Sequence, residues 1–411
     1  MSSSSQKIAF LAFLVVVMAL FGALVIRNRI LKARKTNPAV LSIITIKENG
    51  KSLDWCAANN LIAFGKKGPD GYYDVYIMKP DGSDEICLTD KPGAPKKHNG
   101  NPAWHPSGEY IVFTAQNEDA EGHLVDEYAI PGRGFNCNLW LTTKDGSKFW
   151  QLTLLPTKKV NQKGVIHPQF SHDGKKLLWA ERLGGDGLWG EWVLKIADFV
   201  LDENGPRLEN ITTYQPGDQH LFYESHGFSP DDSWIIFSGN LEEGQIEYGL
   251  DIYILNLVTG ELKRLTNTFY DWDEHAHYSP DGDWIAWMSS TGFEIDWSSC
   301  KGYDWRKYLI TELWVMKSDG TAKLQLTHFN DPTYEEYIGS RAIVSDSAWS
   351  PDGKKIVAAV AYDTGQGAGS KIVMIELNMD FLEKAEKNLI QVSDLQKVGN
   401  IPNASEPEHF E

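Results

Sequence analysis

Two hydrophobic patterns divide the chain. The first is a single unbroken run, Ile8 to Ile26 (IAFLAFLVVVMALFGALVI), without a charged or strongly polar residue. A helix rising ~1.5 Å per residue nearly crosses the ~30 Å hydrocarbon core of a bilayer over this length. The run is longer than the ~7–15 apolar residues of a secretory leader, and no small-x-small cleavage site follows it. It predicts one retained membrane-spanning helix. From Leu41 onward the pattern changes to short apolar runs separated by clusters of Gly, Pro, Asp and Asn. Runs of about four to eight residues bounded in this way predict β-strands joined by tight turns.

One phrase recurs along this second part: an aromatic residue, a Ser-Pro-Asp-Gly-like turn and a short apolar strand. The copies are Trp104-HPSGEYIVF, Phe170-SHDGKKLLW, Phe228-SPDDSWIIF, Tyr278-SPDGDWIAW and Trp349-SPDGKKIVA, with a degenerate Trp55-CAANNLIAF. Pro presets φ and Gly supplies a positive φ, as a tight turn between antiparallel strands requires. A second hairpin follows in Asp74-VYIMKPDGSDEICLT, Asn138-LWLTTKDGSKFWQLT, Asp251-IYILNLVTGELKRLT and Glu312-LWVMKSDGTAKLQLT. The third unit is looser, from Trp192. In the last unit Lys371-IVMIEL leads into a helix-prone stretch, Met379 to Lys387, and LIQVS (389–393) reads as the outer strand.

Four strands per unit and six units predict an all-β fold, a six-bladed β-propeller of four-stranded antiparallel blades preceded by one transmembrane helix. The expected organisation is a tail, anchor and basic flank over 1–35, the propeller over 41–393 and an acidic tail over 394–411. Leu41 to Ile46 either closes the ring or lies against the sixth blade.

Charge sharpens the division. Residues 1–40 hold six basic side chains (Lys7, Arg27, Arg29, Lys32, Arg34, Lys35) and no acidic one, so the rest of the chain carries 33 basic against 56 acidic groups, a net −23. A body so acidic lacks the clustered positive field of a nucleic-acid surface. The basic flank after the apolar run favours a cytoplasmic body by the positive-inside rule. Long domains can translocate despite flanking charge, and the extracytoplasmic side is the expectation adopted. Four Cys lack metal-type spacing; buried free thiols are the expectation, with a Cys56–Cys87 disulfide as the alternative.

The phrase aromatic-Ser-Pro-Asp-Gly-x-x-Ile-x-Phe, followed by Asp-Ile-Tyr and Leu-Thr, resembles the repeat of TolB-like six-bladed propellers over roughly residues 50–393. With residues 1–35 read as tail, anchor and flank, no TolB-type N-terminal domain is expected before the propeller. Tracking strand direction places the starts of all inner strands on one face, together with the long insertions 116–135, 182–191, 240–249, 290–310 and 329–344. Long loops gathered on a rigid scaffold form its functional side.

Three residues before each aromatic stand Ser52, Asn101, His167, Ser225, His275 and Asp346, with Glu224, His226, Glu274 and His277 beside them. His167, His226, His275 and His277 are candidate ligands of a divalent metal ion of N/O type. Asn101, Glu224, Glu274 and Asp346 are candidate channel-mouth lining. The same side chains also suit a metal-free pocket or a hydrated polar channel. Within the resemblance, His275-Ala-His277 echoes the His-rich metal site of oligogalacturonate lyase. The Gln that this likeness implies three residues earlier is Trp272 here, and few cations (Arg133, Arg182, Arg306, Arg341) fall near the face. Trp272, Trp297, Trp305, Tyr334 and Tyr337 lie in face loops and suit a protein interface. The sequence reading is a membrane-tethered interaction or scaffold subunit with a protein partner; the alternative is a metal-dependent carbohydrate-active enzyme.

Overall fold

The computed structural model describes Met18 and residues 34–398 apart from 187 and 218–221. Met18 aside, the apolar run 8–26 lies outside the described residues, and among these no helix is long and apolar enough to cross a membrane. The body is a ring of six four-stranded antiparallel sheets. Their inner strands are Gly50–Trp55, Asn99–Trp104, Gly164–Phe170, Tyr223–Phe228, Asp273–Tyr278 and Ala342–Trp349. Each blade runs outward from its inner strand to an edge strand.

The repeat phrases specify this arrangement locally. In the Ser-x-Asp-Gly turn the serine hydroxyl donates to the aspartate two residues on, at 2.7 Å for Ser171–Asp173, 2.5 Å for Ser229–Asp231 and 2.6 Å for both Ser279–Asp281 and Ser350–Asp352. The same hydroxyl accepts the N–H that opens the second strand, as from Trp284 and Lys355. The turn is thus stapled by its own side chains.

The Asp…Leu-Thr spacing has an equally local cause. Thr89, Thr153, Thr266 and Thr327 each donate to the residue fifteen positions earlier that opens the third strand: Asp74, Asn138, Asp251 and Glu312. Each threonine oxygen also accepts the next backbone N–H of that strand, from Val75, Leu139, Ile252 and Leu313. This clasp ties the edge strand to its neighbour. Thr327→Val keeps the volume but strands the buried Leu313 N–H. The expected cost is ~1–3 kcal/mol, read as a lowered denaturant midpoint with an unchanged slope.

Ring closure differs from the expectation at one point. The outer strand of blade six is Val40–Glu48, paired antiparallel with Ala368–Leu377 from Val40↔Leu377 to Glu48↔Lys371. LIQVS (389–393) belongs instead to the helix Met379–Val398. The reason is composition: MDFLEKAEKNLIQ is rich in helix formers, and the edge it would have paired with is already taken. Packing between blades is carried by apolar and aromatic strand residues, among them the fully buried Trp179, Trp287, Phe113 and Phe237. Cys56, Cys87, Cys137 and Cys300 are free thiols.

Candidate functional site

Every inner strand loses register with its neighbour once, and at the same level. The interruptions fall at Lys51/Leu53, Gly100/Ala103, Ile166/Gln169, Ser225/Gly227, Glu274/His277 and Val344/Asp346. A β-bulge re-aims the side chain of the extra residue. Four of the residues there adopt a left-handed backbone: Ser52 (φ 53°), Asn101 (φ 47°), His167 (φ 46°) and His275 (φ 53°). A side-chain-bearing residue in that region costs ~1–2 kcal/mol, and such strain gathers at functional sites.

The re-aimed side chains link around the channel. Asn101 lies 3.4 Å from Ser52 Oγ and 3.3 Å from His167 Nε2. The Ser225 hydroxyl donates to the His167 carbonyl at 2.8 Å. Asp346 accepts the Leu53 N–H at 2.8 Å, closing the circle from blade six to blade one.

At the centre three blades converge. Glu224 Oε1 lies 3.0 Å from His167 Nε2 and 3.8 Å from His275 Nε2, and one ligand atom from each residue falls within 4.8 Å of the others. Ligands ~2.0–2.2 Å from a tetrahedral metal stand ~3.4 Å apart, so the set brackets that spacing without rearrangement of the strands. His167 and Glu224 are buried. Around them, the Trp272 indole donates to Glu274 at 2.7 Å, and Asp346 Oδ1 lies 3.6 Å from His275 Nδ1 and 3.5 Å from His277 Nε2.

Burial dominates the protonation of the cluster. It holds both His167 and His275 down at about 4 and pushes Glu224 up to about 8, with the Asp346 charge adding to the latter. Burial, then the Glu224 carboxyl, drives Glu274 well above the carboxylate range. Asp346 goes the other way. Burial alone would raise it, but the His277 hydrogen bond and the nearby imidazoles hold it below its ordinary value. The close His167–Glu224 contact is therefore a neutral imidazole against a protonated carboxyl rather than an ion pair.

The triad floors a cavity of about 320 Å³. Its walls include Lys51, Tyr73, Arg133, Trp189, Tyr303 and Trp305. Lys51 sits 4.0 Å above the Tyr73 ring and donates to the Pro131 carbonyl at 3.2 Å. Burial, then Arg306 and Arg133, lower its pKa to about 7. Over the cavity, the blade-two insertion with its helix His123–Ala129 meets the blade-five insertion with its 3-10 turn Gly302–Lys307.

No protein-family model matches the chain. Dipeptidyl-peptidase 5 of Porphyromonas endodontalis is 23% identical over 259 residues, which is 54% of this chain and 34% of that protein. The chain thus matches about a third of the length of that curated relative. Among solved structures, a putative TolB from Agrobacterium tumefaciens superposes with a TM-score of 0.50 at 17% identity, covering 77% of this chain and 91% of that one. The fold is that of a TolB-like six-bladed propeller. An oligogalacturonate lyase in complex with manganese superposes with a TM-score of 0.46 at 12% identity, covering 84% of this chain and 95% of that one.

Within this TolB-like propeller the candidate residues separate. His167 and His275 join Glu224, a residue that the sequence places in the channel-mouth lining and among the possible N/O ligands from other blades. His226 stands behind them, its Nε2 engaged by the Ser238 hydroxyl at 2.6 Å and by the His275 N–H at 3.2 Å. His277 turns to Asp346, and Asn101 and Glu274 flank the triad. Trp272 corrects the interface expectation. It is 3% exposed, packed at 4.9 Å against Trp305 and 5.9 Å against Trp297, so it offers a partner no surface. Its indole is spent on orienting Glu274. Trp297 and Trp305 are half-buried against the same core cluster. Tyr334 stacks on His328 at 3.7 Å and takes Lys35 over its ring, while Arg34 lies over Tyr337. Sequence reasoning missed Lys51 and Trp189, which carry no motif; only their places at the start of an inner strand and at the end of the 182–191 insertion mark them.

Proposed function

We propose that the channel mouth is a divalent-metal centre, with His167, Glu224 and His275 as its protein ligands, serving a metal-dependent enzyme of the carbohydrate-active kind. The observation that carries this reading is the convergence of three ligand atoms from three blades, the two histidines re-aimed by bulges and Glu224 from the regular part of its strand, on the floor of a walled cavity. Two imidazoles and a carboxylate form a donor set suited to zinc, manganese or ferrous iron. Three protein ligands leave coordination positions for a substrate. The half-buried faces of Trp189, Tyr303 and Trp305 provide stacking walls for a ring of small size. The inward packing of Trp272 weighs against a scaffold role built on these aromatics.

Titrating the purified full chain with Mn²⁺ or Zn²⁺ in a calorimeter tests this reading. One site per chain is expected; no saturable site in wild type overturns it. The pH dependence has a worked sign. His167 and His275, held near 4, are already neutral at pH 6 and above. Glu224, raised to about 8, keeps its proton until then and must release it to bind metal. Affinity should rise about tenfold per pH unit from 6 to 8 and level off above, with uptake of metal releasing a proton. A flat profile across that window contradicts the assignment of Glu224.

The run 8–26 is read as a single-span anchor holding the propeller on the extracytoplasmic side. Protease added to sealed right-side-out vesicles should digest the propeller; complete protection places it on the other side.

A further inference from the structure

The roof of the cavity holds a buried cation whose hydrogen bonding is incomplete. Arg133, 6% exposed, donates through Nη1 to the Glu127 carbonyl at 3.0 Å and to Glu127 Oε1 at 3.3 Å, whereas its Nε has no partner. A guanidinium offers five N–H donors in a planar fork made for a two-oxygen acceptor. Its rest is a face-on contact with Tyr303, 4.9 Å from the ring centre. Lys51, on the wall below, donates to the Pro131 carbonyl. Arg306 completes the group from the opposite side of the ring, its Nη2 2.6 Å from the same Glu127 Oε1.

Glu127 is therefore one carboxylate shared by two arginines that belong to insertions of blades two and five, opposite each other across the channel. Tyr128 and Tyr303 pack edge-on at 5.2 Å beside it. The bond to Arg306 is half-exposed, and such pairs contribute little to stability. What it does is join two insertions whose Arg133 and Arg306 line the same cavity as the His167–Glu224–His275 triad.

We infer that the mouth is an oxyanion subsite in which Glu127 stands in for a carboxylate or phosphate group of the ligand, and that the ligand opens the roof by displacing it. The ligand then carries two features: a polar group reaching the floor and an oxyanion taken by Arg133, Arg306 and Lys51. A second oxygen would give Arg133 the bidentate partner it lacks. The strongly acidic exterior does not oppose this, because these cations face an enclosed cavity where their field is concentrated. The inference extends the metal-centre reading to the ligand and rests on the same cavity.

The test uses the full chain in detergent, with Mn²⁺ or with EDTA, titrated with oxalate, malonate and inorganic phosphate. Saturable binding of at least one anion is expected, weakening as salt rises. Glu127→Gln removes the internal competitor and should tighten binding ~3–10-fold, the scale of one half-exposed ion pair. Arg133→Met should weaken it at least ~10-fold, as loss of a charge-assisted pair does, with Arg133→Lys in between and serving as the folded control. The carboxylate and phosphate arms tell the two ligand types apart. Failure of any anion to bind, or unchanged or weaker binding in Glu127→Gln, overturns the inference. Anion binding with these effects but no metal binding sinks the metal centre and leaves the oxyanion subsite standing. Normal metal binding without tightening in Glu127→Gln does the reverse.

Discussion

His275→Ala abolishes tight divalent-metal binding, whereas His277→Ala leaves a measurable site: this is the first expected result. The two histidines are two residues apart on one strand and look equivalent in sequence. The bulge separates them. It falls between Glu274 and His277 in the strand pairing and turns His275 toward Glu224, leaving His277 on Asp346. Loss of an outer partner costs ~10–100-fold in metal affinity; loss of a ligand should exceed that and take binding below detection. A companion variant separates ligation from folding. His275→Gly also removes the ligand, yet it relieves the left-handed backbone at φ 53°. It should be more stable than His275→Ala by ~1–2 kcal/mol, the cost of a Cβ in that region, while binding no better. Equal metal affinity for His275→Ala and wild type, or equal stability of the Gly and Ala variants, contradicts the picture of a strained ligand.

The second large effect concerns ring closure. Val40–Glu48 comes from the far end of the sequence and supplies the outer strand of blade six. Val40 and Ile43 pack against the cluster of Val344, Ile356, Val373 and Leu377. Removing residues 1–48 deletes this strand and bares the edge of Ala368–Leu377. Several ladder hydrogen bonds at ~0.5–1.5 kcal/mol each, with the apolar burial at ~25 cal/mol per Å², sum to more than ~5 kcal/mol. That is of the order of a domain's whole stability, ~5–15 kcal/mol. A chain beginning at residue 49 should lose cooperative unfolding or aggregate through its open edge, whereas one beginning at residue 34 should melt as a single transition. Matching denaturant midpoints for the two chains would show that the ring does not depend on this strand.

The repeat was legible because its cause is local. Ser279 and Asp281 staple their own turn, and Thr327 clasps Glu312 fifteen residues away, so the sequence phrase and the structure are the same object. The closing strand was only half legible, since 40–48 and 389–393 both carried strand-compatible apolar residues and the choice between them is made by pairing across the whole chain. The ring of residues three before each aromatic was also readable, because a repeat fixes height along the axis. Which of them meet was not. That depends on bulges whose left-handed residues at His167 and His275 carry no glycine to announce them. Trp272 misled for a related reason: an aromatic in a face loop reads as exposed, whereas the neighbouring insertion 290–310 folds over it and buries it against Trp297 and Trp305.

Crystals of the full chain or of residues 34–398 soaked in Mn²⁺ or Zn²⁺ offer the most direct measurement, with data collected on both sides of the metal absorption edge. One anomalous peak within ~2.0–2.3 Å of His167 Nε2, Glu224 and His275 Nε2 is predicted. An ordered cavity with no anomalous density between those three residues, in crystals that take up metal elsewhere, contradicts the metal centre.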